Sequence, residues 1–368
     1  MMQISPETQL FIREHSSDDV RVLALQAKKY PDIDMPTAIT QIAGRKVAAE
    51  KIPSWWEIEK IWYPKHLSLE QCSSEITARY KARLLQGDSL TDLTGGFGID
   101  CSFLATGFKS ATYVERQEEL CEIAAHNFPV LNLNHINIKN EDGVTYLQAM
   151  SPVDCLFLDP ARRNEHGGKT VAISDCEPNV AELEELLLQK ANRVMIKLSP
   201  MLDLSLALKE LKQTQEVHIL SVNNECKELL ILLGQTSPAE ISIHCVNLFT
   251  KGTQKEQHFV FTREQEQCSE CTYTDSLETY LYEPNASLLK AGAFRSIAAA
   301  YPVRKLHPNS HLYTSDTFIE NFPGRIFRIV NQCSFNKKEV KENLADLKKA
   351  NVTVRNFPAT VAELRKRI

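Results

Sequence analysis

Four carboxylates in the first half of the chain each close a short apolar run: Asp92 in "SLTDLTGGFGID", Glu115 in "ATYVE", Asp142 in "HINIKNEDG" and Asp159 in "VDCLFLDPARR". An acid at the end of a buried run is costly unless it has a partner or acts on something. Asp92 is followed by Thr94, Gly95, Gly96 and Gly98. A turn without Cβ atoms lets backbone N–H groups approach a ligand at a helix start. Asp159 is followed by Pro160 and by Arg162 and Arg163. A carboxylate there can orient or deprotonate an acceptor by general-base action. The arginines can hold a phosphate or neutralise Asp159, and Asp is also a preferred helix cap.

Three kinds of ligand use such a glycine turn. A P-loop needs Lys-Ser/Thr at its end, which is missing; "GGKT" at Gly167 to Thr170 imitates that tail, but Arg163 stands where the first glycine is required. A dinucleotide fingerprint beginning at Gly96 needs its third glycine at position 101, which is Cys101. S-adenosylmethionine remains, with an amino-acid end and an adenosine that suit a glycine turn preceded by an acid. Glu115 is then placed for the ribose hydroxyls, as acids are in the dinucleotide case, and Asp142 for the adenine edge. Each acid alone also reads as a solvated strand-end carboxylate; Asp92, Glu115 and Asp142 in order at successive strand ends fit that reading much less well.

The elements that must position these residues alternate between β-rich runs and helical stretches from about Leu67 to Gly234, the pattern of βαβ units and a mostly parallel sheet. In such a sheet ligands bind at the carboxyl ends of the strands. Residues 1–66 have apolar positions at helical spacing and form a helical N-terminal unit. It ends in "PSWWEIEKIWYP", with all three tryptophans, Trp55, Trp56 and Trp62. These can stack on a base or anchor the unit on its neighbour, and packing is the commoner use. Residues 236–280 read as two or three antiparallel strands, a small β-rich, ferredoxin-like domain, and 281–368 as an α+β domain with a helix "KKEVKENLADLKKA", a strand "VTVRNF" and a final helix "TVAELRKRI".

The chain has 368 residues, 43% of them hydrophobic, and a net charge of -5, with a mean hydropathy of -0.27. These are the values of a globular protein of several domains and not of a polycation. With no apolar run of about 18 residues and no signal-peptide pattern, the cytoplasm is the expected location. The ten cysteines lie mostly in apolar segments and read as reduced thiols. "CSEC", Cys268 and Cys271, is a lone pair that gives weak evidence for zinc, and no metal is expected.

On "DLTGGFGID", "YVE", "EDG" and "DPAR" the segment from Leu67 to Gly234 resembles a class I S-adenosylmethionine-dependent methyltransferase. With "EQCSSEITARYKA", "IKLSPMLD", "NECKELLILL" and "RNFPATVAELRKRI" added, nearly the whole chain resembles a bacterial methyltransferase family with a THUMP-like C-terminal domain. The resemblance implies an α/β fold with a Rossmann-like, mostly parallel sheet of seven strands over 67–235. It implies cofactor contacts from Ser74, Thr77, Asp92, Thr94, Gly95, Gly96, Gly98, Glu115, Arg116, Asp142, Gly143 and Asp159, and catalysis by Asp159, Pro160 and Arg162.

Families that methylate an exocyclic base amine carry a second proline and an aromatic after Asp-Pro; here Ala161 and Arg162 stand there, although a guanidinium can also stack on a base. Uracil-C5 chemistry needs a nucleophilic cysteine at the end of strand five, where Ser199 and Pro200 stand. Direct transfer to a nitrogen or oxygen is what remains. Residues 336–368 hold nine Lys/Arg against four Asp/Glu, the footprint of a phosphate-backbone binder or of a solvated helix face. Arg162, Arg163, Lys197, Arg365, Lys366 and Arg367 are the expected substrate contacts. THUMP resemblance implies structured RNA, tRNA or rRNA, as substrate; a protein or small-molecule substrate is the alternative, and a noncatalytic scaffold would not keep Asp92, Glu115 and Asp159.

Overall fold

The computed structural model describes residues 4–162, 172–236, 238–345 and 347–366. Helices α1 (Pro6–Glu14), α2 (Val20–Leu25), α3 (Met35–Lys51), α4 (Pro53–Trp56), α5 (His66–Gln71) and α6 (Glu75–Ala82) come first. Ser5, Asp19 and Asp34 cap the first three with side-chain oxygens that accept first-turn N–H groups. Then strands and helices alternate: β1 (Ser89–Asp92), α7 (Ile99–Ala105), β2 (Ser110–Glu115), α8 (Glu118–Val130), β3 (Ile136–Asn140), α9 (Gly143–Ala149) and β4 (Val153–Leu158). A two-stranded ribbon, β5 (Ala161–Arg162) and β6 (Cys176–Glu177), precedes α10 (Val180–Lys190), β7 (Ala191–Leu198), α11 (Leu204–Glu210), β8 (Thr214–Val222) and β9 (Glu225–Gly234).

The remainder holds β10 (Ser242–Leu248), β11 (Glu256–Thr262), α12 (Arg263–Cys268), β12 (Tyr280–Pro284), α13 (Ala286–Ala291), α14 (Ser296–Ala300), β13 (Arg304–His307), β14 (Ser310–Ser315), β15 (Gly324–Arg328), α15 (Lys337–Leu344) and α16 (Val361–Arg365). One sheet has the order β11-β10-β8-β9-β7-β4-β1-β2-β3, and a second, antiparallel sheet the order β13-β14-β12-β15. β3, β2, β1, β4 and β7 are parallel neighbours, which requires the long crossovers between them. β9 lies antiparallel to β7. Covered on both faces, β4, β7 and β9 have continuous apolar centres: Leu156, Phe157, Leu158, Val194, Met195, Ile196 and Leu229 to Leu233 are at most 1% exposed.

By internal contacts the chain forms two compact units, Met1–Val217 with Glu228–Ala239, and His218–Lys227 with Glu240–Ile368; β8 and β9 run from one into the other. Two expectations are corrected, and the packing use of the tryptophans is seen. The sheet has nine strands and not seven, because β10 and β11 extend it instead of forming a small domain over 236–280. A hairpin with an unpaired edge joins a sheet as readily as it starts one. The N-terminal helices share a hydrophobic core with the sheet's own helices: Ala48, Ile52 and Trp55 pack in one cluster with Phe97, Ile99 and Ile123. Trp55 meets Phe97 edge-on at 5.2 Å, and Trp62 stacks on His126 at 3.7 Å, so these two tryptophans serve packing. Finally, "VTVRNF" forms no strand, since β-propensity without a neighbouring strand decides little.

Candidate active site

The glycine turn follows β1 directly. Gly98 has φ +86° and Gly96 φ +54°, backbone that a side chain disfavours, and Gly98 caps α7. A Cβ on Gly95 would lie 2.2 Å from the Tyr113 ring, while the Tyr113 hydroxyl donates to Gly96 O. At the end of β2, Glu115 is 8% exposed; its Oε2 accepts from Gly96 N at 2.9 Å and its Oε1 from Gln117 N at 2.8 Å. Each carboxylate oxygen has a second lone pair, so Glu115 fixes the turn and can still take ribose hydroxyls.

Asp92, 1% exposed, accepts from Thr94 N through Oδ1 at 3.0 Å. Its Oδ2 is buried without a hydrogen-bond partner. Burial pushes the Asp92 carboxyl well above the usual carboxylate range, Thr94 N–H opposes this, and Asp100, Asp159 and Glu115 add to it. An orphaned buried acceptor beside a glycine turn is what an ammonium group would complete. The residues present therefore suit S-adenosylmethionine: Asp92 could hold its amino-acid end and Glu115 its ribose.

Asp159 is the first residue past β4. Its amide donates to Thr94 Oγ1 at 2.6 Å, so the glycine turn and the acid after β4 are locked together. Pro160 behind it is buried. The Asp159 Oδ2 accepts from Lys197 Nζ, which is also 3.7 Å from Asp100 Oδ2. Asp100 in turn meets Lys81 Nζ at 2.8 Å and the Ser73 hydroxyl at 2.7 Å. Lys81, fully buried, also contacts Ser73 Oγ and Glu228 Oε2, both at 2.7 Å. Charges thus alternate along Glu228, Lys81, Asp100, Lys197 and Asp159. Burial alone would lower the Lys197 pKa, but Asp159, Asp100 and Glu228 outweigh it and hold the ammonium above the usual lysine range. For Asp100 burial raises the carboxyl, and Lys81 with Lys197 more than reverses this.

The structure brings Asp92, Thr94, Gly95, Gly96, Gly98, Glu115, Asp159 and Pro160 together, and redirects others. Lys197 is 8% exposed and its ammonium is directed at Asp159. Asp142 caps α9 through Oδ1, accepting from Val144 N and Thr145 N at 3.0 Å, a local role its Asp-Gly-helix context already favoured. Gly143 leaves room for Leu93 O, 2.2 Å from where a Cβ would stand. Ser74 and Thr77 hydrogen-bond each other at 3.2 Å, while their neighbour Ser73 enters the charge chain. Arg116, 61% exposed, reaches Glu177 at 3.3 Å. Arg365 and Lys366 are exposed at the end of α16; Arg163, Arg367 and the side chain of Arg162 lie outside the described residues. Sequence reasoning missed Ser73, Lys81, Asp100, Tyr113 and Glu228. For Glu228 the available signal was a charge at the start of an apolar run, in "CKELLILL".

Residues 280–323 match a ferredoxin-like domain family and 324–368 a THUMP domain-like family, so the ferredoxin-like module lies after the stretch expected from sequence. No curated protein matches the chain. Among solved structures, a protein from Porphyromonas gingivalis W83, provisionally named a methyltransferase, is 34% identical, covering 100% of this chain and 92% of its own, with TM-score 0.86. An rRNA methylase from Streptococcus thermophilus is 14% identical over 43% of this chain and 93% of its own, TM-score 0.32. A Streptococcus mutans protein, likewise provisionally named a methyltransferase and solved with SAH, is 14% identical over 44% and 96%, TM-score 0.32. The last two likenesses are too loose to bear on substrate. From the full-length match and the two modules, the chain belongs to the family of class I S-adenosylmethionine-dependent methyltransferases with ferredoxin-like and THUMP-like C-terminal domains.

Proposed function

We propose that this protein transfers the methyl group of S-adenosylmethionine directly to a nitrogen of a base in structured RNA, tRNA or rRNA, in the cytoplasm, with Asp159 at the acceptor. The observation that carries the chemistry is the setting of Asp159, 36% exposed at a strand end and tied to the glycine turn by Thr94. When bound, S-adenosylmethionine supplies an electrophilic methyl group. Lys197 fixes one carboxylate oxygen of Asp159, and the other accepts an N–H of the base, orients its lone pair and takes up the proton. Arg162 and Arg163 are the groups we assign to the flanking phosphate or to stacking on the base.

A covalent route through a cysteine is poorly served. Cys72, whose thiol feels Asp100, Lys197 and Lys81, is pushed up to about 11 by burial and donates to Leu69 O at 3.1 Å. Its thiolate is scarce near neutral pH.

The RNA half of the reading rests on the THUMP-like segment 324–368, which holds eleven Lys/Arg against four Asp/Glu on a chain of net charge -5. Within it Arg325 and Arg355, 47% and 40% exposed, share the carboxylate of the buried Glu283. Two guanidinium groups on one acid leave a net positive fork suited to phosphate.

The test is incubation with methyl-labelled S-adenosylmethionine and total RNA, total protein or small-molecule extract from a strain lacking the gene. Label in an RNA fraction, on a base nitrogen by nucleoside analysis, is expected. Label confined to protein or small molecules would overturn the RNA assignment and leave the C-terminal module a contact surface.

A further inference from the structure

In the second unit β8, β10 and β11 carry one histidine each: His218, His244 and His258. β10 and β11 pair antiparallel with His244 opposite Val260 and Val246 opposite His258. Directly opposed residues share a face and alternate residues keep it, so His244 and His258 are diagonal neighbours on one face, within side-chain reach. His244 Nδ1 and His258 Nε2 are 3.1 Å apart. The His218 and His244 rings stack at 4.3 Å and 16°, with ligand nitrogens within 4.8 Å. His218 is 2% exposed, His244 half-buried and His258 exposed, so the cluster leads from the interior to solvent.

We propose that His218, His244 and His258 form a binding site for a divalent late transition metal, with zinc, nickel or copper as the class that imidazole ligands take. Two nitrogens bound to one tetrahedral zinc at about 2.0–2.1 Å each lie about 3.3 Å apart, close to the separation of His244 and His258. An ion accepts from both rings and links neighbouring strands. Cys245 beside His244 falls by alternation on the opposite face, so it adds no thiolate to the three nitrogens. Glu216, on β8 and on the same face as His218, has its carboxylate engaged by Arg193 at 2.8 Å. This inference is independent of methyl transfer.

The test titrates Co²⁺, then Zn²⁺ in competition, into the full chain after stripping by a chelator. One equivalent of Co²⁺ should bind with no thiolate charge-transfer band. His258→Gln, at an exposed position that does not threaten folding, should weaken it about tenfold or more, and His244→Gln/His258→Gln should abolish it. Cys268→Ser/Cys271→Ser should bind as the unaltered chain does. No uptake, affinity unchanged in the histidine variants, or a thiolate band that vanishes in the serine variant would each overturn the proposal.

Discussion

Lys197→Met removes an ammonium from between Asp159 and Asp100 while keeping a side chain of similar length, so the change is one of charge and not of cavity. Breaking a buried pair by deleting one partner costs about 3–5 kcal/mol. Asp159 is 36% exposed, and solvent screening of that half brings the expected loss to about 2–3 kcal/mol near neutral pH. The sign follows from the carboxylates. In the unaltered protein Asp100 is held below its ordinary value by Lys81 and Lys197 against the effect of burial. That stability is present above the unfolded carboxylate pKa of about 3.9 and lost as pH falls through the folded pKa. In Lys197→Met both carboxyls titrate higher, so lowering the pH from 8 to 5 protonates them and narrows the deficit. The acid limb of the methyl-transfer rate should also move to higher pH, because Asp159 must be ionised to act. Urea unfolding at pH 8 and pH 5, with a pH–rate profile, measures all of this. A deficit under about 0.5 kcal/mol, or one equal at both pH values, would refute the alternating chain of charges.

Asp92→Asn should weaken S-adenosylmethionine binding at least about tenfold by calorimetry, the loss of one charge-assisted bond. Because burial raises the Asp92 pKa in the folded state, ionising it costs stability as pH rises from its unfolded toward its folded value, and Asp92→Asn should flatten that slope in unfolding curves. Gly95→Ala drives a methyl into the Tyr113 ring and should cost about 1–3 kcal/mol in denaturant unfolding. Arg365→Glu/Lys366→Glu, at exposed positions, should lower RNA affinity and reduce the slope of log K against log salt by about one per lost contact; an unchanged slope would remove α16 from the RNA face.

What the sequence carried well was the chemistry written in contiguous residues. The turn "DLTGGFG" needs its glycines for left-handed backbone at 96 and 98, and Asp92, Glu115 and Asp159 announce strand ends because an apolar run stops on a charge. What it could not carry was pairing across distance. Lys81 and Glu228 meet from segments 147 residues apart, and nothing local in "ARYKAR" or "CKELL" names a partner. Lys197 in "VMIKLS" was visible as a charge inside a buried strand, which demands an opposite charge, yet its identity as the clamp on Asp159 depends on β4 and β7 lying side by side. Strands β10 and β11 read correctly as a hairpin but not as part of the large sheet, since the pattern inside a strand does not say which edge it joins.

The role of Asp159 is read by single-turnover transfer from pre-bound, methyl-labelled S-adenosylmethionine to RNA, run in parallel with the unaltered protein and Asp159→Asn. Both should hold the cofactor, and the variant should move label to the base about 10²–10⁴-fold more slowly than the unaltered protein. Label reaching RNA at equal rates in both would contradict Asp159 as the acceptor's partner.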